Sequence, residues 1–334
     1  MRQGICVAGN MIVDITYPIA GWPQQGELVH IRDGIARTTG GAVCNVAVDL
    51  AKLDPSLQVA ALGRVGADAE GDLILDTLAA HGVDTGCVIR EGTSAFTHVM
   101  ENVRENQRTF FTYLGANGAF SEADIDWSRV TARILHIGYI LLLNALDQPD
   151  AECGSKMARL LRSAKAHGLM TSIDVVSEAS DRFSRLVPPA LKYADYCVIN
   201  EYEAQMTTGI PLRDDSGALI EANLPRALRA MHDMGVSTWA VIHCPEGGFG
   251  LDAREEYVRR GSLVLPEGYI KGSVGAGDAF CAGVLYGAEK GFALDRAIDL
   301  GIAAAAASLS EAGATEGMRS AGEALDLFNK YERR

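Results

Sequence analysis

The 334-residue sequence predicts an α/β fold: a mainly parallel sheet with helices on both faces, plus a small antiparallel β lid. Three observations lead there. Apolar β-rich runs alternate with helical patterns along most of the chain, which is the pattern of strands joined by crossover helices. The alternation breaks in two places, where strand-like segments follow one another with no helix between them. The composition is 48% apolar with no extended biased tract, as in a folded globular chain.

In order, Ile5–Ala8 predicts a buried strand, and Ala42–Leu53 follows with small apolar residues at helical spacing. Val59–Val65 predicts a strand, and Ala69–His81 a helix closed by Gly82. Ile134–Leu143 and Leu169–Val175 flank a helix expected over Ala151–His167. Tyr196–Ile199 with Glu201–Thr207 repeats the strand-to-helix order, and Leu224–Met234 precedes a strand at Trp239–His243. Helices near Ala279–Lys290, Leu294–Leu309 and Ala321–Tyr331 complete the series. The two interruptions are Val29–Ile31, expected as a strand beside Ile12–Tyr17, and a hairpin of Phe96–Val103 with Thr109–Leu114 turning at Arg104–Arg108. These predict one domain over residues 1–334, with lid segments at about 11–36 and 94–115 beside the carboxyl ends of the parallel strands, where ligands bind in open α/β sheets.

Charge and cysteine usage narrow the function. With 30 basic and 43 acidic side chains the net charge is −13, which argues against nucleic acid or an anionic membrane as partner. A nucleotide stays open, because Mg²⁺ and backbone N–H groups neutralise a triphosphate locally. The seven cysteines are scattered and never form C-x-x-C, so they read as reduced thiols of a cytoplasmic protein. Ile5–Thr16 is broken by Gly9, Asn10 and Asp14 and does not read as a secretory leader. The longest apolar run, Ile137–Leu143, is far too short to cross a bilayer. The seven histidines show no zinc-binding spacing.

The most informative segment is Gly272-Ser273-Val274-Gly275-Ala276-Gly277-Asp278-Ala279-Phe280, between a strand-like stretch and a good helix. Glycines at 275 and 277 let the backbone bend and let a ligand approach without a Cβ in the way. The free N–H groups at the helix start then converge on one place that favours an anion. Asp278 has two readings. It is a helix cap, or it is a base that accepts the proton of an attacking hydroxyl while the N–H groups hold charge on a transferred phosphoryl. The loop is neither a Walker A motif nor a dinucleotide fingerprint.

Gly275-Ala276-Gly277-Asp278 has the form G-A-G-D. Gly40-Gly41-Ala42-Val43-Cys44-Asn45-Val46-Ala47 is a glycine pair followed by Asn at a helix start, Gly63–Gly71 reads G-x-V-G-x-D-x-x-G, and Asn200–Glu203 reads N-x-x-E. In this order and spacing, from near residue 9 to near residue 317, they resemble the ribokinase/PfkB family of carbohydrate kinases. The resemblance implies ATP-dependent phosphoryl transfer to a hydroxyl of a sugar or sugar-like molecule, with Asp278 as base and Gly275, Ala276 and Gly277 as anion hole. It puts Asn10, Asp14, Gly40, Gly41 and Asn45 on the substrate.

Asn200 and Glu203 would organise Mg²⁺ and the phosphates through water; an N-cap Asn followed by an exposed Glu gives the same spacing. His243 and Gly248, in the segment Val241–Gly250, and Gly313 would border ATP, although His243 and Pro245 stand where the family commonly has Thr and Gly. Asp174 matches a region lining the nucleotide cleft, and Gly66–Gly71 is expected to be structural, with Asp68 capping a helix. Gly272-Ser273 replaces the family's common Asp-Thr, so activation by a monovalent cation does not carry over. The same fold would also serve a nucleoside kinase, or a sugar or nucleotide sensor without catalysis. Finally, Phe96, Val99, Phe110, Phe111 and Tyr113 give the lid more apolar side chains than a thin sheet buries, and a homodimer through the lid is expected.

Overall fold

A computed structural model describes residues 2–105, 107–178 and 180–334. The first half of the chain forms β1 (Ile5–Gly9), β2 (Ile12–Ile19), β3 (Ala36–Gly40), α1 (Gly41–Leu53), β4 (Val59–Val65), α2 (Ala69–Ala80) and β5 (Asp84–Arg90). β6 (Ala95–Asn102), β7 (Gln107–Tyr113), β8 (Ile134–Ile140), β9 (Pro149–Asp150), β10 (Gly154–Ser155), α3 (Lys156–Ala166) and β11 (Met170–Val175) follow. Next come α4 (Phe183–Leu191), β12 (Tyr196–Asn200), α5 (Glu201–Thr208), α6 (Leu224–Asp233), β13 (Trp239–Cys244), β14 (Gly247–Asp252) and β15 (Tyr257–Gly261). The last helices are α7 (Ala276–Glu289), α8 (Leu294–Ser308) and α9 (Ala321–Leu325).

Nine strands form the main sheet in the order β15-β14-β13-β12-β11-β8-β1-β4-β5. From β5 to β13 every pairing is parallel; β14 and β15 extend the sheet as an antiparallel meander. Two apolar cores lie on its two faces, and each draws side chains from both halves of the sequence. β1 is buried at every position, as a strand covered on both sides must be. After β1 the chain builds outward through β4 and β5, then returns to build the other way through β8 and β11. The order therefore reverses between β1 and β8, and the crevice beyond their carboxyl ends is where such a sheet takes its ligand.

Four strands form a second sheet, β3-β2-β6-β7. Its outer pairings are antiparallel and its central pairing, β2 with β6, is parallel. The hairpin turn expected at Arg104–Arg108 includes Asn106, which lies outside the described residues. Val29–Ile31 is not a strand: only Ile31 makes a bridge, to Ile19. The edge of β2 from Ile12 to Thr16 is already taken by β3, Ala36–Gly40, which sequence reading left unassigned. The helix expected from Ala151 begins at Lys156, because β9 and β10 pair first and Ser155 then caps it, accepting from the Ala158 N–H.

Local chemistry fixes the elements that matter for the crevice. Asp68 caps α2 through the Gly71 N–H and also accepts from the Ser94 N–H and hydroxyl just before β6, so it pins the lid as well as the helix. Asn200 and Glu203 form a reciprocal capping box on α5. β3 runs directly into α1 with no intervening residue, at Gly40 and Gly41. Among the described residues no helix is long and apolar enough to cross a membrane. All seven cysteines are free, five of them buried.

Candidate active site

The loop before α7 ends at Gly275, which sits at φ +78° as the helix N-cap. A Cβ there would stand 2.6 Å from the Ala314 carbonyl oxygen, so only glycine fits both the dihedral and the space. The next residues turn the first amides of α7 toward the crevice. The Ala276 N–H makes only a long bond, 3.4 Å, to the Ser273 carbonyl, and neither the Gly277 nor the Asp278 N–H has a backbone acceptor. These amides are free donors at a helix start, where the backbone favours an anion.

Asp278 is buried but is not a simple cap; its side chain points back across the crevice. Oδ1 accepts from the Tyr139 hydroxyl at 2.6 Å and Oδ2 from Asn45 Nδ2 at 2.9 Å. Burial raises its pKa above the usual carboxylate value, against the lowering effect of those two donors. Tyr139 stays a phenol, because burial and the Asp278 charge both push its pKa well up. Sequence reading missed Tyr139, which sits inside an apolar run. The available signal was a polar-tipped aromatic after a glycine at the end of a strand.

Asn45 lies in the second turn of α1. One amide nitrogen binds Asp278, and its buried Oδ1 has no hydrogen-bond partner in the protein. A buried acceptor without a donor is costly, and Asn45 Oδ1 is such an acceptor. Gly41, at φ +84°, lies so close to Asn10 that any Cβ would overlap the Asn10 side-chain oxygen. A Cβ at Gly40 would stand 2.8 Å from Asp14 Oδ2. The glycine pair thus lets α1 begin against Asn10 and Asp14. Asn10 donates its N–H to the Gly138 carbonyl at 2.8 Å, which ties the ends of β1 and β8 together. Burial raises the Asp14 pKa, opposed by a hydrogen bond from Thr97. Asn10, Asp14, Gly40, Gly41, Asn45 and Asp278 are therefore neighbours in the crevice.

On the other side of the α7 start opens a cavity of about 600 Å³, with Asn200, His243, Ser273, Ala276, Gly277 and Phe280 among the residues lining it. His243 stacks on Phe280, centroids 4.8 Å apart, and loss of solvent holds its pKa down to about 4, so the imidazole is neutral. Three of the sequence assignments to ATP, Glu203, Gly248 and Gly313, are not among the residues lining this cavity. Gly248 is buried in β14, where a Cβ would meet Ile298 and Phe280, and its neighbour Gly247 lines the cavity instead. Strand alternation turns the two glycines to opposite faces. Gly313 lies under the Glu316 carboxylate, and Ala305, Ala306 and Leu309 of the preceding helix line the wall.

Glu203 is buried, held by the Ser177 hydroxyl at 2.7 Å and the Asn200 N–H at 2.9 Å, and burial pushes its pKa up to about 7. Asp174 is raised well above its usual value by burial and by the charges of Glu203 and Asp278. The Asp278 charge pushes up the pKa of both Asp174 and Glu203, a repulsion among neighbouring carboxylates that a divalent cation would relieve. At Gly272 a Cβ would stand 2.6 Å from the Ala312 carbonyl oxygen, so an aspartate has no room there.

A pfkB family carbohydrate kinase model matches residues 2–321. A ribokinase of Haemophilus influenzae is 26% identical, over 98% of this chain and 99% of its own. An uncharacterized sugar kinase of Archaeoglobus fulgidus is 28% identical over 78% and 95%. Among solved structures, Arabidopsis thaliana ribokinase complexed with ribose and ATP superposes with a TM-score of 0.80 at 23% identity, covering 98% of this chain and 99% of that one. A putative ribokinase II from E. coli in complex with ATP and Mg²⁺ gives 0.75 at 18% identity, over 98% and 99%.

Proposed function

Since the chain belongs to the pfkB carbohydrate-kinase family and is an ATP-dependent carbohydrate kinase, we propose that Asp278 is its general base and that the Gly275–Gly277 loop with the first amides of α7 is its anion hole. The Asn45–Asp278 hydrogen bond carries this reading. It joins the glycine-pair helix to the base loop, and the Asn45 side-chain oxygen has no partner in the protein. A sugar hydroxyl donating to that oxygen places a neighbouring hydroxyl at Asp278. The Asp278 carboxylate takes the proton as the hydroxyl oxygen bonds to the γ-phosphorus. The bond from that phosphorus to the β-phosphate bridging oxygen breaks, and ADP leaves. The amides of Ala276, Gly277 and Asp278 hold the charge on the phosphoryl in flight.

Asn10 and Asp14 bind the remaining sugar hydroxyls, and the cavity lined by Asn200 and His243 takes the nucleotide. Glu203 and Asn200 would hold Mg²⁺ through water, and the ion supplies charge neutralisation on the phosphates. No monovalent cation enters this reading, given Gly272. A phosphorylated sugar fits poorly, because Gly40–Asn45 carries no Lys or Arg, and of the lid arginines Arg37, Arg104 and Arg108 the first pairs with Glu70 and the last with Glu101. Free thiols and a need for ATP fit the reducing, ATP-supplied cytoplasm.

ATP consumption against a panel of pentoses, hexoses, deoxy-sugar acids and nucleosides tests the reading. Consumption is expected with at least one unphosphorylated sugar. Response to nucleosides alone would move the substrate class, and response to none would favour a sensor.

The lid reading extends to a homodimer. Val99 is buried and Phe96 half-buried within the lid, but Phe110, Phe111 and Tyr113 on β7 remain about half exposed or more, and Trp22 stacks on Phe111 at 6.2 Å. Sedimentation velocity at micromolar concentration is expected to give a dimer that Phe110→Glu with Phe111→Glu dissociates. A wild-type monomer would remove the lid interface.

A further inference from the structure

Behind Asp278, on the face of the sheet that α7 covers, three side chains of different chemistry converge where the mechanism uses none of their donor atoms together. His136 is on β8, Asp174 on the neighbouring β11, and Cys281 on α7, one turn beyond Asp278. They are 0%, 7% and 1% exposed. One donor atom from each, an imidazole nitrogen, a carboxylate oxygen and the thiol sulfur, all lie within 4.8 Å of one another. Cys281 Sγ stands 3.8 Å from His136 Nε2.

We propose that His136, Asp174 and Cys281 form a binding site for a thiophilic divalent cation such as Zn²⁺. Bond lengths of about 2.3 Å to sulfur and about 2.0–2.1 Å to nitrogen put the sulfur–nitrogen edge of a tetrahedral site near ~3.6 Å, within a few tenths of an ångström of the separation here. The imidazole is already oriented for it. Nδ1 is bonded to the buried Ser172 hydroxyl at 2.9 Å, directly across the β8–β11 pairing. That leaves Nε2 aimed at the thiol, the arrangement in which an outer partner fixes a metal-binding histidine.

Asp174 accepts the Val175 N–H with Oδ1, so its other oxygen is available. Gly138 packs beside the cluster: a Cβ there would stand 3.6 Å from both His136 Nε2 and Asp174 Cβ and 2.6 Å from Ala42 Cβ, so only glycine fits against the three side chains. Charge also balances, since a dication with one thiolate and one carboxylate is neutral and can be buried. Binding releases the thiol proton to solvent.

Chain-purified protein, freed of metal and titrated with Co²⁺, is the test. One Co²⁺ per chain is expected, with the near-ultraviolet sulfur-to-cobalt charge-transfer band of thiolate ligation and visible bands of tetrahedral geometry; Zn²⁺ should displace it. Cys281→Ala and His136→Asn should weaken binding at least tenfold, and Cys281→Ala should lose the charge-transfer band. Ser172→Ala should cost about 10–100-fold in affinity. No such band in the wild type, or an unchanged band in Cys281→Ala, would overturn the site. Anomalous diffraction at the zinc edge on wild-type crystals gives the same decision without a substitution: a peak among the three side chains supports it, and zinc elsewhere removes it.

A second consequence rests on Asp278 being the base. A cation there would lower its basicity, so Zn²⁺ should inhibit turnover and Cys281→Ala should raise the inhibitory concentration at least tenfold. The cobalt spectrum does not depend on turnover, so failure of the kinase mechanism and failure of the metal site give different results.

Discussion

Asp278→Asn is expected to lower turnover by about 10²–10⁴-fold while leaving the thermal transition and nucleotide binding close to wild type. The two side chains have nearly the same shape, and Asp278 is not the helix cap, which is Gly275. The amide can still accept from Tyr139 or Asn45 through its oxygen, so the fold loses little. What it cannot do is accept the hydroxyl proton. Retained turnover would leave Asp278 only as the buried acceptor of Tyr139 and Asn45 and remove the mechanism. The pH dependence gives an independent check. The base must be ionised, and burial places its pKa above 3.8, so activity should fall with acid at a pH above the ordinary aspartate range. The Tyr139 hydrogen bond lowers that pKa. Tyr139→Phe should therefore move the acid limb to higher pH, whereas a purely structural role for Tyr139 would reduce the rate without moving the limb.

The second large effect separates the two glycines of the loop. Gly275→Val should abolish activity and also destabilise the protein. Its φ of +78° costs a non-glycine residue roughly 1–2 kcal/mol, and the Ala314 carbonyl blocks the new Cβ. Gly277→Ala is different. Its new Cβ would stand 3.3 Å from His243 Cε1, within the reach of a small ring shift, and no left-handed dihedral is involved. That variant should melt near wild type yet turn over at least tenfold more slowly, because the methyl enters the space where the phosphoryl must sit. Equal melting temperatures for the two variants would count against the backbone account of Gly275.

The parallel strands and their helices could be read from the sequence because local signals agreed there. Asp68 capped the predicted helix, Gly275 opened α7, and the alternating pattern matched what a covered sheet requires. β3 could not be read, because Ala36-Arg37-Thr38-Thr39-Gly40 is mostly exposed and carries no apolar alternation; it is a strand only because β2 offers it an edge. The apolar stretch Val29–Ile31 misled for the converse reason.

The glycine loop, the glycine pair and the Asn200–Glu203 box could be located by their motifs, whereas the approach of Tyr139 to Asp278 and the proximity of His136, Asp174 and Cys281 could not. These side chains come from β8, β11 and α7, and only the strand order brings them together. Gly248 shows the same limit: which glycine of the segment faces the cavity depends on the register of β14 with its neighbours.

The junction of β3 with α1 has a mechanical meaning. Strand and helix abut at Gly40–Gly41, but α1 is buried at every residue except Lys52 and so cannot pivot as a rigid arm. The glycine pair acts as a joint that isolates its two sides: a displacement of the exposed end of β3 would be absorbed there, and the Asn45 side chain that grips Asp278 would keep its place.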